Sequence, residues 1–140
     1  MKIMSINPVF VEYIPEQIDE GVLYISEPFN TAIHKCCCGC GEEVVTPFSP
    51  AKWRLIKGDG VVSLVPSIGN WDYECQSHYF INNNQIIWAG QMSPEQIRRV
   101  QKRDTDDNHK YIEYLNEQRK FSVFRKLFNR LLNWFKSLFK

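Results

Sequence analysis

The sequence opens without a secretory signal: Met1-Lys2-Ile3-Met4-Ser5-Ile6-Asn7-Pro8 carries one charged side chain and no long apolar core. Nowhere in the 140 residues does an apolar run approach the ~20 residues of a membrane-spanning helix. No acidic residue falls in residues 120–140, and no cysteine falls outside two short segments. The His-x-Glu box followed by Pro-Cys-x-x-Cys that marks zinc nucleobase deaminases is missing. These absences exclude an integral helical membrane protein and a deaminase. Clustered cysteines without a signal point to a reducing, cytoplasmic compartment. With 44% hydrophobic and 24% charged residues, the composition is that of one soluble domain, with or without an appendage.

The net charge of +1 hides an asymmetry. Lys120, Arg125, Lys126, Arg130, Lys136 and Lys140 give the last 21 residues +6, which leaves residues 1–119 at −5. An acidic body argues against a nucleic-acid-binding core, which needs a basic face. The basic tail reads as a separate functional unit.

What is present is concentrated in Cys36-Cys37-Cys38-Gly39-Cys40-Gly41 and Cys75-Gln76-Ser77-His78. Tetrahedral zinc takes four soft or borderline ligands, usually two from each of two tight turns. Glycines beside the cysteines let the backbone wrap an ion without Cβ clashes. Buried free thiols would not explain four cysteines in five residues. Disulfides are a poorer account, because near neighbours pair badly and the count is odd. Six residues can therefore ligate, the five cysteines and His78. Spacing alone favours Cys37 and Cys40, since Cys-x-x-Cys-Gly is the commoner zinc turn.

Residues 7–90 read as short strands. Phe10–Ile14, Val22–Ile25, Val44–Thr46, Trp53–Ile56, Val61–Val65, His78–Ile81 and Gln85–Trp88 are β-branched or aromatic runs. Gly58-Asp59-Gly60 and three consecutive asparagines supply hairpin turns. Helices begin at Ser93-Pro94-Glu95-Gln96, which has an N-cap serine, a proline at the first helical position and a glutamine at the third. Ile97 and Val100 face inward in this reading. Asp104-Thr105-Asp106-Asp107-Asn108 predicts a break before a second helix. From Phe121 to Phe139, apolar residues recur at steps of three and four, with basic and amide residues between them. Such a helix suits a membrane surface, a protein partner or the protein's own core. The predicted class is α+β: a small antiparallel, zinc-stapled β domain over residues 1–91, a helical extension over 92–119, and a basic amphipathic helix over 120–140.

Four boxes carry a family resemblance: residues 36–41, Thr46-Pro47-Phe48-Ser49-Pro50, Pro66-Ser67-Ile68-Gly69-Asn70-Trp71 and Cys75-Gln76-Ser77-His78-Tyr79. In this order they resemble the bacterial family catalogued as domain of unknown function 6527, over roughly residues 22–90. Phe48 stands where that family usually has leucine. The resemblance implies a metal set drawn from Cys36, Cys38, Cys40, Cys75 and His78, with Cys37 at a variable position. Cys36, Cys38, Cys40 and Cys75 are the preferred zinc ligands, with His78 as the substitute. It also implies a companion of bacterial ubiquitin-like conjugation genes, a peptidase that processes or removes the modifier.

Ser67, on a Pro-Ser-Ile-Gly-Asn turn, is the candidate nucleophile, with His78 or His34 as its base and Asp72 or Glu74 to orient that base. Zinc hydrolysis with Glu42, Glu43 or Glu74 as the acid or base is a weaker alternative, because all-cysteine ligation closes the metal. Cysteine catalysis by Cys37 is weaker still. The expected function is a serine-type peptidase with a structural zinc, catalytic residues Ser67 and His78, acting on a ubiquitin-like modifier. The competing class is a non-catalytic zinc adaptor that recruits a conjugation component or a membrane through residues 120–140. The expected partners are the modifier or its conjugating enzymes, with no nucleic acid. The expected location is cytoplasmic, or peripheral at the inner face of the membrane.

Overall fold

A computed structural model describes residues 1–138. Phe139 and Lys140, at the end of the expected terminal helix, lie outside the described residues. Eight strands form two four-stranded sheets. The first holds β1 (Asn7–Phe10), β2 (Val22–Ser26), β3 (Thr31–Lys35) and β4 (Glu43–Pro47), side by side in that order. The second holds β5 (Arg54–Lys57), β6 (Val62–Gly69), β7 (His78–Asn82) and β8 (Gln85–Trp88), again in chain order. All neighbours run antiparallel except β1 and β2, which are parallel. The α+β class read from the sequence holds, with two sheets where one was expected.

Alternation decides which side chains enter the core. Along β3, Ala32 and His34 are buried; along β4, Val44 and Thr46; along β7, Tyr79 and Ile81. Inward residues of both sheets form one shared core, in which Leu23, Ile25, Leu64, Ile68, Tyr79 and Ile81 are all at most 2% exposed. Two isolated bridges tie the sheet edges together. Ser5 meets Gln85 beside β8, and Phe48 meets Trp53 at the seam between β4 and β5.

Both predicted hairpins form. Gly60 adopts φ +73° between β5 and β6, and Gly58 N–H donates to Val61 O at 2.8 Å. Asn83 and Asn84 take φ +47° and +64° between β7 and β8, the pair of left-handed residues a two-residue type I′ turn requires.

One helix, α1 (Pro94–Leu138), follows. Its start is the predicted capping box: Gln96 N–H donates to Ser93 Oγ at 3.2 Å, and Ser93 N–H donates to Gln96 Oε1 at 2.8 Å. The predicted break at residues 104–108 does not occur. Asp, Thr and Asn inside a helix each cost only about 0.7 kcal/mol or less relative to Ala, and Arg103–Asp104 and Lys110–Asp107 ion pairs lie along the run. Ile97 and Val100 do not enter a core either, since no residue of α1 is buried. No helix among the described residues is long and apolar enough to cross a membrane. The chain divides into two compact units, Met1–Lys102 and Arg103–Lys140.

Candidate active site and metal centre

The β3–β4 loop belongs to the first sheet and the β6–β7 loop to the second. The cysteines converge between these two loops. The sulfurs of Cys36, Cys38, Cys40 and Cys75 all lie within 4.8 Å of one another. Cys36 Sγ is 3.4 Å from Cys38 Sγ and 3.9 Å from Cys75 Sγ, and Cys40 Sγ is 3.8 Å from Cys75 Sγ. A tetrahedral thiolate shell with metal–sulfur bonds of about 2.3 Å has sulfur–sulfur edges of about 3.8 Å. The four thiols thus have the dimensions and chemistry of a metal site. All five cysteines are free, and these separations are far too long for disulfides.

The local backbone makes this convergence feasible. Gly39 and Gly41 both sit at φ +86°, so the chain turns sharply between ligands. Cys37 points the other way. It is fully buried outside the four-sulfur group, and burial pushes its thiol up to about 12, away from the thiolate form that ligation and nucleophilic attack need. The Cys37–Cys40 pairing suggested by spacing alone is therefore not the one the fold makes.

Polar groups surround the sulfurs. Asn70 Nδ2 donates to Cys36 Sγ at 3.3 Å and to Ser77 Oγ at 2.9 Å. The Ser77 hydroxyl lies 3.0 Å from Cys36 Sγ and 3.5 Å from Cys75 Sγ. Both side chains are 7% exposed. Hydrogen bonds of this kind orient metal ligands and tune their basicity. Sequence reasoning missed Asn70 and Ser77 as supports of the metal site, although both fall inside the boxes that carried the family resemblance.

The same loop fixes the serine and the histidine. Asn70 N–H donates to Ser77 O at 2.9 Å, closing residues 70–77, and the Tyr73 hydroxyl donates to Glu43 O on β4 at 2.6 Å. His78 begins β7 directly after this loop and pairs with Gly69 of β6. A register shift in β6 between Leu64 and Ile68 displaces Ser67 from regular pairing. Such bulges re-aim side chains at active sites. Here Ser67 Oγ comes to lie 3.0 Å from His78 Nε2.

The other histidine read as a candidate base is spoken for. His34 is fully buried on β3, and its Nε2 sits 2.8 Å from the Tyr79 hydroxyl. Burial lowers its pKa to about 4, so the ring is a neutral hydrogen-bonding element of the core.

Neither Asp72 nor Glu74 orients His78, whose buried Nδ1 has no hydrogen-bond partner among the described residues. The Asp72 carboxylate instead accepts from Gln101 Nε2 at 3.4 Å. Aromatic rings hold the imidazole in place of an acid. Trp71 lies 5.0 Å and Phe80 5.9 Å away between ring centroids. A Cβ at position 69 would come within 2.3 Å of the Trp71 ring, so glycine there is what lets Trp71 pack down beside His78.

Two concavities flank Ser67 in the chain. A groove of about 750 Å³ at the β4–β5 seam is lined by Phe48, Trp53, Leu55, Val65 and Pro66, with Lys52 and Arg54 among its charged residues. A cavity of about 170 Å³ is lined by Ile68, Gly69 and Trp71. Trp53 lines both. The groove therefore ends on the two residues before Ser67, and the cavity begins on the residue after it.

No curated protein and no solved structure matches the chain. A family model does, under a different name from the one read off the sequence boxes. It covers residues 10–89, more than half of the chain, and spans both ligand loops, Ser67 and His78. Its description shares with the earlier resemblance a bacterial ubiquitin-like system. The chain belongs to the BubE family, described as the serine protease of a bacterial ubiquitination-like system.

Proposed function

We propose that this protein is a serine-type peptidase that processes or deconjugates a bacterial ubiquitin-like modifier, with Ser67 as nucleophile and His78 as general base. The observation that carries this reading is the 3.0 Å separation of Ser67 Oγ and His78 Nε2 within the family-matched region. His78 Nε2 takes the hydroxyl proton as Ser67 Oγ attacks the scissile carbonyl carbon. His78 then returns that proton to the leaving amine nitrogen as the carbon–nitrogen bond breaks. The resulting acyl ester on Ser67 is cleaved by water, which His78 deprotonates in turn.

The metal in this reading is zinc, held by Cys36, Cys38, Cys40 and Cys75. A four-thiolate shell belongs to the structural class, and it supplies stability rather than a reacting water. Its ligands come from one loop of each sheet, so the ion would pin the β6–β7 loop, which leads directly into His78, against the first sheet. Residues 1–91 form the zinc-bearing catalytic domain in this scheme, 92–119 an extension, and 120–140 a separate unit. The protein works in the cytoplasm, where the modifier and its conjugating enzymes are its partners.

The seam groove is the path for the modifier's extended tail. Apolar Phe48, Trp53, Leu55 and Pro66 suit an apolar side chain near the scissile bond. Lys52 and Arg54 have no acid partner among the described residues, whereas Lys57 pairs with Glu27. Combined Lys52→Glu and Arg54→Glu should raise KM by about tenfold for an acidic tail and change kcat little, because the groove residues bind without taking part in bond cleavage. Steady-state kinetics on peptides differing only in tail charge checks this.

The function itself is tested by incubating the purified protein with the precursor of the modifier and following the cleaved product by mass. Wild type should cleave and Ser67→Ala should not. Products from neither would favour the adaptor, and equal products from both would move the nucleophile away from Ser67.

A further inference from the structure

The C-terminal part of α1 shows an arrangement that peptide cleavage does not use. Between Phe121 and Leu138, nine phenylalanine, leucine and tryptophan side chains are each 42–66% exposed. The chain folds here as unbroken helix. At 3.6 residues per turn, the nine fall within an arc of about 160°. Arg125, Lys126, Arg130 and Lys136 fall in the complementary arc with Asn129, Asn133 and Ser137. Lys120 to Leu138 contains five basic residues and no acid. The segment is about 28 Å long.

Among the described residues, the ring pairs on the apolar arc are between helical neighbours. Phe124 and Phe128 stack at 6.3 Å, and Trp134 meets Phe135 at 5.3 Å. No residue of the helix is buried. In water such an arc is a standing penalty, so something covers it.

We propose that residues 120–138 lie in the surface of an anionic lipid bilayer, apolar arc down, and that this attaches the peptidase peripherally to a membrane. Charge complementarity selects this occupant. A second copy docked through the same segment would bring two strongly basic stretches together, with no acid in residues 120–138 of either to offset them. Anionic headgroups supply the counter-charge around the whole basic arc. Phenylalanine and leucine insert about 5–10 Å into the acyl boundary, and tryptophan settles at headgroup level. The helix does not span: no helix among the described residues is long and apolar enough to cross a membrane. Its basic side chains stay in the headgroup layer.

The test is co-sedimentation of the full chain with vesicles of phosphatidylcholine alone and of phosphatidylcholine mixed with phosphatidylglycerol. Wild type should pellet with the anionic vesicles at least about tenfold more strongly than with the neutral ones. Salt at about 1 M, where the Debye length is about 3 Å, should weaken that binding. Phe128→Glu with Phe135→Glu should leave the protein in the supernatant. Arg125→Glu with Arg130→Glu should abolish the anionic preference. Unchanged circular dichroism and metal content in both variants keep the comparison sound, since no residue of α1 is buried. Wild type that stays in the supernatant with anionic vesicles overturns the proposal. So does a dimer in sedimentation equilibrium that Phe128→Glu dissociates, which would make a second copy the occupant. Equal binding to neutral vesicles removes the electrostatic part and with it the choice of anionic lipid. Cleavage of the modifier is not read at any step, so failure here leaves the peptidase assignment standing.

Discussion

Ser67→Ala should abolish cleavage of the modifier precursor, lowering kcat/KM by about three orders of magnitude or more. His78→Ala should lose a similar amount. The double variant should be little worse than either single one, because a nucleophile and its base act as one unit and their losses do not add. The pair sits at 3.0 Å, so alanine at either position removes the proton path rather than loosening it. Both side chains are only partly buried, and their removal leaves the core of Leu64, Ile68, Tyr79 and Ile81 untouched. Metal content and thermal unfolding should therefore stay at wild-type values, which separates chemistry from folding. A variant that loses activity together with its metal would instead point to a structural part for that residue.

The second large effect concerns the metal. Cys75→Ser and Cys38→Ser should each lose the bound zinc and most of the soluble, cooperatively folded protein. Binding energy at a structural zinc site is about 10–16 kcal/mol in small domains, comparable with the 5–15 kcal/mol net stability of a whole domain. Cys75 is the one thiol from the second sheet. Without it, three ligands in a single loop cannot tie the sheets together. Cys37→Ala is the matched control. It deletes a buried thiol that does not ligate, so it should keep one zinc per chain and cost on the order of 1 kcal/mol. Elemental analysis with thermal denaturation reads all three. Metal loss from Cys37→Ala with retention in Cys38→Ser would replace the ligand set.

Much of the fold could be read from local chemistry. β8 was placed at its observed bounds, and β2, β4, β5 and β7 to within a residue or two, because each alternates β-branched or aromatic residues between clear turn signals. β3 escaped notice, since its inward residues are Ala32 and His34, and neither advertises a strand. His34 is legible only once Tyr79, 45 residues away, is known to meet it. β1 was set a few residues too late, at the aromatic run beginning with Phe10. Its parallel partnership with β2 is a tertiary choice that no local pattern encodes. The helix break failed for a simpler reason: aspartates signal caps only where nothing else continues the helix, and here ion pairs and long flanking segments do.

The site was legible in its residues but not in its architecture. The metal cluster stands out because cysteine clustering is rare and its chemistry narrow. Spacing alone chose the wrong turn, because it cannot tell that Cys37 faces the core. Ser67 and His78 are eleven residues apart, and only the displaced register of β6 against β7 brings them within hydrogen-bonding distance. The acid expected beside His78 is replaced by Trp71, whose approach depends on Gly69. Lys52 and Arg54 escaped because a groove at a seam between two sheets has no signature in either strand.

The measurement closest to the central claim is mass mapping of the protein after reaction with a fluorophosphonate, which forms a covalent adduct only with an activated serine. A single adduct on Ser67 is expected, absent in Ser67→Ala and suppressed in His78→Ala at unchanged metal content. Cleavage of the modifier precursor by protein that carries no adduct on Ser67, or whose adduct maps to another serine, would contradict it.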